Sequence, residues 1–286
     1  MKNGIPDTAG NNKEGRIFTA LILIVLTCAA VLTLFPILIS LLNSFKTQGE
    51  MMSNILALPG KPQFSNYTQA FEKTNFPISL KNTAIVVVVG LSGIIIFASM
   101  AGYKLCRTKS KLSGFLFGLF IMSMLVPFHS IMITLTKVAK GFRVQGSDVG
   151  LGLIYIGLGV PMAVFLYHGF VKSIPRELEE AAVIDGCGEF KLFFAIIFPL
   201  LLPITSTNAI LNTLWMWNDF LLPLLMITDY RKYTILLSTN MLFGEYGNND
   251  WSAILATLIM AMLPVILLYL LLQKYIVNGI AEGAIK

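Results

Sequence analysis

The sequence predicts an all-α integral membrane protein with about six transmembrane helices. Of its 286 residues, 56% are hydrophobic and 13% are charged, about half the charged fraction of an ordinary soluble domain. The mean hydropathy is +0.76. Apolar residues also form runs of about 20 or more, which is the length that a helix needs to cross a bilayer. A soluble globule could not cover its surface with so few charged side chains, whereas a lipid bilayer removes that requirement.

The first apolar run extends from Ile17 to Leu42. It follows a polar segment, residues 1–16, which we interpret as a cytoplasmic N-terminal tail. A cleaved signal peptide is the alternative interpretation, because basic residues precede the run. The run is longer than the apolar region of a signal peptide, and no small-residue cleavage site stands before the next polar segment. We therefore expect this run to be retained as the first transmembrane helix.

Five further apolar runs are long enough to span a bilayer. They are Asn82–Tyr103, Leu112–Leu135, Val149–Val171, Pro199–Ile227 and Trp251–Leu272. The polar stretch Asn43–Lys81 is interpreted as a connecting segment and not as a second domain. The chain is thus predicted to form one six-helix transmembrane domain, residues 17–273, followed by a C-terminal tail, residues 274–286. No internal repeat is visible in the sequence.

The placement of Lys and Arg predicts the orientation in the membrane. If the N-terminus is cytoplasmic, more than half of the 21 basic residues fall in the segments that face the cytoplasm. A compact cluster contributes most of this bias: Lys104, Arg107, Lys109 and Lys111. Because cytoplasmic loops of membrane proteins are enriched in Lys and Arg, both termini are predicted to be cytoplasmic.

Residues able to hold a metal or to perform catalysis are few and scattered. Cys28, Cys106 and Cys187 are widely spaced and odd in number, so they predict no disulfide framework. His129 and His168 have no carboxylate or thiol near them at ligand spacing. The net charge of +6 is not arranged as a basic stripe with interleaved aromatic residues, so nucleic acid is not expected as a partner. We expect no metal site, no catalytic residues and no enzyme activity.

The segment between the fourth and fifth runs, Ser173–Pro199, predicts two short helices joined by a sharp turn. Ser173 is suited to cap the first helix and Pro175 to its first turn, where a missing N–H costs nothing. Asp185-Gly186 would end that helix, because glycine readily takes a left-handed conformation. Three glutamates would lie near the positive end of the helix dipole, namely Glu177, Glu179 and Glu180.

Ala181 and Ala182 would leave one face of the first short helix with almost no side-chain bulk. Another protein could then approach this face closely, and one interpretation is a docking element held against the membrane. The alternative is an ordinary amphipathic connector lying in the membrane interface. Residue chemistry alone does not choose between the two.

The order and spacing of residues in this segment resemble the EAA loop of binding-protein-dependent ABC importer permeases. The match consists of Glu180-Ala181-Ala182, Gly186, Ile196 and Phe198-Pro199. The family usually has Leu at the position of Phe198 and often Ala at that of Cys187. The resemblance implies that the loop docks in a cleft of a cytoplasmic ATPase and transmits its closure to the membrane helices. The residues to which it assigns this coupling role are Glu180, Ala181, Ala182, Asp185, Gly186, Ile196 and Pro199.

Four further segments are similar to the sugar-transporting branch of this family, and to the maltose-type second permease subunit in particular. They are Asn43–Lys46, Phe64–Tyr67, Trp217–Phe220 and the stretch from Gln273 to Lys286. The stretch Thr134–Gly150 is more basic than the family pattern. The resemblance implies the type I ABC importer transmembrane fold, a location in the bacterial cell membrane, and the import of a sugar or oligosaccharide.

The same resemblance implies a set of partners. They are a second permease subunit, a dimer of ATP-binding subunits, an extracytoplasmic sugar-binding protein and the lipid bilayer. The tail Gly279–Lys286 is implied to contact the ATPases. No Gly-rich segment ends in Gly-Lys-Ser or Gly-Lys-Thr, so the sequence carries no phosphate cradle. The chain is expected to bind no cofactor itself, the ATP being used by the partner ATPase.

Polar and aromatic residues in the fifth run are candidates for a substrate path, because amides pair with sugar hydroxyls and flat rings stack on sugar faces. The candidates are Asn208, Asn212, Trp215, Asn218 and Asp219. A carboxylate inside a bilayer costs about 2.5–3.5 kcal/mol, so Asp219 should face protein or water. The alternative, which we favour for Asp219, is a hydrogen-bonded cluster that packs helices near the outer interface.

Two other classes of function are compatible with a membrane chain. An ion-coupled secondary transporter acting alone would need acidic groups near the midplane, in two related halves. The fifth run offers Asp219 nearly alone. A membrane-embedded enzyme would need a nucleophile with its base, or a metal cluster, and the sequence presents neither pattern.

Overall fold

The computed structural model describes residues 11–244 and 249–284, and no β-strand occurs among them. In chain order the α-helices are α1 (Asn11–Ser44), α2 (Gln48–Ser53), α3 (Ser65–Lys73), α4 (Phe76–Arg107), α5 (Lys111–Met124), α6 (Phe128–Gly141), α7 (Asp148–Val171), α8 (Glu177–Ile184), α9 (Glu189–Leu192), α10 (Phe198–Leu200), α11 (Leu202–Trp217), α12 (Leu221–Met226), α13 (Ile235–Ser238) and α14 (Trp251–Ala284). A π-helical segment, Phe193–Ile197, joins α9 to α10. Helices α1, α4, α7 and α14 are long and apolar enough to cross a membrane, and two bent helix pairs raise the candidate spans to six. The predicted all-α membrane fold with about six spans is confirmed.

The ends of the first and last spans in the chain differ from the prediction. Helix α1 begins at Asn11, inside the predicted tail 1–16, and helix α14 continues to Ala284, through most of the predicted tail 274–286. Residues 1–10 and 285–286 of the two predicted tails lie outside the described residues. Helical backbone satisfies its own polar groups and can therefore extend beyond an apolar run at no cost in unpaired hydrogen bonds.

The predicted third span, Leu112–Leu135, is wrong as a single helix. Helix α5 ends at Met124, and α6 begins after Pro127 with its axis turned by 104°. Proline lacks an N–H and disfavours helical geometry in the residue before it, so it interrupts the run. The 14 residues of α5 span only about 21 Å. Helix α6 carries the exposed Lys137 and Lys140, which suit a helix lying along the membrane surface rather than across it.

The predicted fifth span, Pro199–Ile227, is also wrong as a single helix. The segment Glu189–Leu200 and helix α11 meet at a bend of 74°, and α11 ends at Trp217. Pro199, one of the predicted coupling residues, and Pro203 flank this bend. Each removes one backbone donor, and Pro203 falls in the first turn of α11, where that loss is tolerated.

Helices α4 and α7 form the most extensive helix pair among the described residues. Glycines bring the two backbones close together: Gly90, Gly93 and Gly102 on α4, and Gly152 and Gly159 on α7. A Cβ atom added at Gly102 would lie 2.7 Å from Cβ of Tyr167 and 3.0 Å from the backbone nitrogen of His168. Small residues are the usual means of close helix approach in membranes, where burial against lipid-like neighbours supplies little driving force.

The polar segment between α1 and α4 is held by buried polar side chains. Lys46 is fully buried, and its Nζ donates to the carbonyl oxygens of Asn54 and Ile55 at 3.0 and 2.9 Å. The Asn66 side-chain amide donates to the carbonyls of Ser44 and Lys46 at 2.8 and 2.9 Å. These contacts explain why the two motifs Asn43–Lys46 and Phe64–Tyr67 occur together in the sequence.

We predict that Gly102→Ala destabilises the protein, because the added methyl group meets backbone atoms of α7 that cannot move aside. Overpacking of this kind costs about 1–3 kcal/mol. The measurement is the thermal unfolding midpoint in detergent. Gly157→Ala on α7 is the matched control, since nothing lies within 4 Å of its added Cβ and alanine is the better helix former. Equal midpoints for the two variants would contradict the role of Gly102.

Candidate functional site

The loop between α7 and α11 folds as the predicted pair of short helices, α8 and α9. The predicted cap is wrong, however: the Ser173 hydroxyl donates to the carbonyl of Phe170 at 2.8 Å, and Arg176 occupies the N-cap position without a side-chain hydrogen bond. The three glutamates lie in the first turn of α8, as expected for the positive end of the helix dipole. Glu177 and Glu180 are exposed, and Glu179 is half-buried.

Helix α8 ends at the predicted glycine. Gly186 has φ of +78°, a left-handed conformation that glycine adopts without a Cβ penalty. Its N–H donates to the carbonyl of Val183 at 3.0 Å, and the Cys187 N–H donates to that of Ala182 at 2.9 Å. This pair of bonds is a Schellman motif. The exposed Asp185 occupies the C-cap position, so the turn sends α9 away from α8 at a defined angle.

The predicted small-residue face is only half correct. Ala181 is exposed, but Ala182 is buried against Leu192, Phe193 and Ile197, so it packs the loop internally and is not presented to a partner. The exposed tip of the loop is apolar instead. Ile184 is 84% exposed and Phe190 is 74% exposed. Sequence reasoning missed these two residues, although large apolar side chains in a charged loop were a signal of a contact surface.

A largely buried ion pair joins this loop to the end of α4. Nε of Arg107 donates to Oε1 of Glu179 at 2.6 Å, and its other guanidinium nitrogen donates to the carbonyl of Ile174 at 2.7 Å. The Tyr103 hydroxyl donates to Oε2 of Glu179 at 3.0 Å. The side chains of Arg107 and Glu179 are only 13% and 14% exposed. Sequence reasoning did not pair these residues, which lie far apart in the chain.

The loop passes into α11 through the π-helical segment and the bend at Leu201. Ile196 is half-buried against the core, Ile197 is fully buried, and Pro199 is exposed. A π-helical turn inserts one extra residue into a helix and occurs most often at functional sites. The coupling residues predicted at the end of the loop therefore sit at the joint between loop and span.

The candidate path residues on α11 divide into two groups. Asn208 and Asn212 are buried inside the bundle, where the Asn212 side-chain amide donates to the carbonyl of Asn208 at 2.9 Å. Trp215 and Asn218 are exposed instead. Asn218 also lines a cavity of about 460 Å³ between α1, α11 and α14. Of the predicted candidates, Trp215 and Asn218 are therefore the two that lie on the surface of this chain.

Asp219 packs helices together, as favoured from the sequence. Its Oδ2 accepts a hydrogen bond from the buried Tyr155 hydroxyl at 2.8 Å. Its Oδ1 accepts from the backbone N–H groups of Leu221 and Leu222 at 2.9 and 3.3 Å, at the start of α12. The neighbouring Trp217 donates from Nε1 to the carbonyl of Ala261 on α14 at 3.1 Å. Asp219 thus connects α7 to the turn that follows α11.

The fold and the loop together define a multi-pass α-helical membrane protein in which a projecting hairpin connects two spans. A family model described as binding-protein-dependent transport system inner membrane component matches residues 94–282. The chain belongs to this family, which is a family of transport permeases. Among the residues described, no group of three or more His, Cys, Asp or Glu side chains is placed to hold a metal ion.

Several curated proteins are similar over almost their whole length. The probable starch degradation products transport system permease protein AmyC of Thermoanaerobacterium thermosulfurigenes is 40% identical over 257 residues, which are 90% of this chain and 93% of that protein. The melibiose/raffinose/stachyose import permease protein MelC of Bacillus subtilis is 37% identical over 279 residues, 97% of this chain and 99% of that one. The multiple sugar-binding transport system permease protein MsmG of Streptococcus mutans is 32% identical over 267 residues, 92% of this chain and 95% of that protein.

One solved structure shares the fold. It belongs to a bacterial ABC transporter involved in the import of the acidic polysaccharide alginate, and it matches with a TM-score of 0.80 at 20% identity. The match covers 95% of this chain and 99% of the other. The transmembrane fold expected from the resemblance, that of type I ABC importers, is therefore confirmed.

We predict that Asp219→Ala lowers the thermal stability of the protein and that Asp219→Asn does not. Alanine leaves the buried Tyr155 hydroxyl without its acceptor, a loss of about 1–3 kcal/mol. The asparagine oxygen can still accept from the N–H groups of Leu221 and Leu222, while its amide donates to the Tyr155 hydroxyl oxygen. Asn218→Ala is the control, since the Asn218 side chain is exposed and donates only locally, to the carbonyl of Leu214. A midpoint for Asp219→Asn as low as that for Asp219→Ala would show that both carboxylate oxygens are required as acceptors.

Proposed function

We propose that this chain is a transmembrane permease subunit of a binding-protein-dependent ABC transporter that imports a sugar or oligosaccharide. The observation that carries the proposal is the hairpin α8–α9, which presents an exposed apolar tip and continues directly into two spans. The names of the curated relatives support carbohydrate as the class of substrate. An ion-coupled transporter acting alone is not favoured, because Asp219 is engaged in packing contacts.

The proposed complex contains a second permease subunit, a dimer of ATP-binding subunits and an extracytoplasmic sugar-binding protein. Helix α1 supports the proposal of a second permease. None of its most apolar 18-residue stretch is buried within the chain, so the helix needs lipid or another protein on most of its surface. ATP is bound and hydrolysed by the partner ATPase, and this chain supplies neither cofactor site nor catalysis. The tail Gly279–Lys286 is proposed to contact the ATPases.

The proposed mechanism is alternating access. ATP binding closes the ATPase dimer, the coupling loop Ser173–Pro199 moves with it, and the helix bundle opens to the outside. Glu180, Ala181 and Gly186 would contact the ATPase together with the apolar tip. Ala182 would act from inside the loop by holding α8 on its core. Trp215 and Asn218 are the residues of α11 best placed to meet a sugar, through stacking and amide hydrogen bonds respectively.

The proposed topology places both termini and the coupling loop in the cytoplasm of a bacterial cell. The basic cluster at the end of α4 supports this, since Lys104 and Lys109 are exposed beside the loop, and cytoplasmic segments are enriched in such residues. The opposite end of α4 then faces outward, with the segment between α1 and α4.

We predict that replacing Glu180 and Gly186 together, by Trp and Leu, uncouples the complex. A bulky side chain at Glu180 obstructs the docking surface, and leucine at Gly186 is strained in the left-handed conformation by about 1–2 kcal/mol. Stimulation of ATP hydrolysis by sugar and binding protein should fall about tenfold, which corresponds to a loss of about 1.4 kcal/mol in coupling free energy. Glu177→Trp, on the same exposed helix, is the control and should retain coupling. Full coupling in the double variant would refute the docking role.

We predict that a cysteine at Ile184 is labelled from the cytoplasmic side alone. The variant is made in a background lacking Cys28, Cys106 and Cys187, and a membrane-impermeant maleimide is added to intact cells or to inside-out vesicles. Labelling is expected in the vesicles only, because Ile184 is exposed at the tip of the loop. A cysteine at Phe142, exposed after α6, should give the opposite result. Labelling of Ile184→Cys in intact cells would place the loop outside and remove the basis of the proposal.

A further inference from the structure

The ion pair between Arg107 and Glu179 lies where the coupling loop meets the end of a transmembrane helix to which it is not joined in sequence. We propose that Glu179 is a positioning residue that locks the loop onto α4, so that α4 moves with the loop when the ATPase closes. This inference rests on the proposed function and adds a third helix to the two spans that the loop joins covalently.

The Arg107–Glu179 ion pair is fixed by several hydrogen bonds, unlike an exposed ion pair on a protein surface. The guanidinium of Arg107 bonds the loop at two places, the Ile174 carbonyl before α8 and the carboxylate of Glu179 within it. The second carboxylate oxygen is occupied by the hydroxyl of Tyr103. A planar guanidinium with several donors holds such partners in one orientation, and loss of either charge would leave the other nearly buried without a counter-ion.

A second ion pair between the same two elements provides the contrast. Nζ of Lys104 lies 3.2 Å from Oε1 of Glu189, but the two side chains are 63% and 85% exposed. Exposed pairs of this kind contribute little, because water screens the charges and flexible side chains lose entropy on pairing. The Arg107–Glu179 pair is therefore the one that can transmit displacement.

Helix α4 is suited to carry that displacement to the opposite side of the protein. Its 32 residues extend about 48 Å, with its single proline in the first turn. At its other end, Asn82 donates to the carbonyls of Arg231 and Tyr233, and the Thr83 hydroxyl accepts from the N–H of Ile235 at 2.9 Å. The lock thus connects the coupling loop, through one continuous helix, to the segment before α13 on the far side.

The test uses the complex purified with its own second permease and ATPase subunits, reconstituted in proteoliposomes and supplied with its sugar-binding protein. The variants are Arg107→Gln, Glu179→Gln and the charge exchange Arg107→Glu with Glu179→Arg, and the matched controls are Lys104→Gln and Glu189→Gln. The first readout is uptake of radiolabelled raffinose or maltotriose, whichever the wild type accumulates, per ATP hydrolysed. The second is the distance between nitroxide labels at Lys109 and Glu177, both exposed, without nucleotide and with ATP and vanadate.

Uptake per ATP should fall about fivefold in the two single variants. This factor is at the low end of the changes that coupling between two sites of a protein typically produces. The label distance, narrowly distributed in both states of the wild type, should broaden in the same variants. The charge exchange should restore both readouts at least in part, and the controls should match the wild type. Should Arg107→Gln prevent assembly, Tyr103→Phe removes one hydrogen bond to Glu179 and should reduce uptake per ATP by a smaller factor.

Single variants that keep either readout at the wild-type value overturn the lock. Controls that fall as far as the single variants overturn it too, since any loss of charge at the loop would then suffice. A wild-type complex that accumulates neither sugar counts against carbohydrate import. The label distances still decide the lock in that case, because they need only ATP and vanadate.

Discussion

The close packing of α4 against α7 is the constraint on which the rest of the structure depends. In a membrane, apolar side chains gain little by leaving lipid for one another, so two helices associate through close backbone contact. Gly102 permits that contact at the end of α4 nearest the coupling loop, and Gly90 permits it further along the helix. Because the two helices run together over their length, the end of α7 at Val171 and the end of α4 at Arg107 occupy fixed positions. The loop that leaves α7 is thereby brought within hydrogen-bonding distance of α4.

The sequence was sufficient to predict the fold class, the number of spans and the pair of short helices in the loop, because these follow from the length of apolar runs and from turn residues. The bends were not predicted. Hydropathy locates apolar residues but carries no information about the direction of the helix axis. The run through Pro127 and the run through Pro199 therefore each resembled one straight span. The prolines were visible in both runs, yet proline is often tolerated in transmembrane helices, and its presence alone does not separate a bend from a straight helix.

The candidate site was predicted less completely, for a related reason. Residue type indicated which side chains could bind a sugar or a partner, but burial decides which of them can be reached. Asn208 and Trp215 are both suited to sugars by chemistry, and the structure buries the first and exposes the second. Ala182 was assigned to a docking face by its size, whereas that small size lets α8 pack on Phe193. The pairing of Arg107 with Glu179 depends on tertiary contact and left no local pattern in the sequence.

The loop is attached to the bundle in three ways that differ in stiffness. Its attachment to α7 is covalent and short, and its attachment to α4 is a largely buried ion pair supported by Tyr103. Its attachment to α11 passes through a π-helical segment and a bend flanked by Pro199 and Pro203, where backbone hydrogen bonds are missing. A displacement of α8 therefore reaches α4 and α7 directly, while the bend at Leu201 can absorb a change of angle. Helix α11, which presents Trp215 on its exposed side, is itself held to α7 by the hydrogen bonds Tyr155–Asp219 and Tyr167–Thr205. A change of angle at the bend would therefore turn the loop relative to a span whose position in the bundle is fixed.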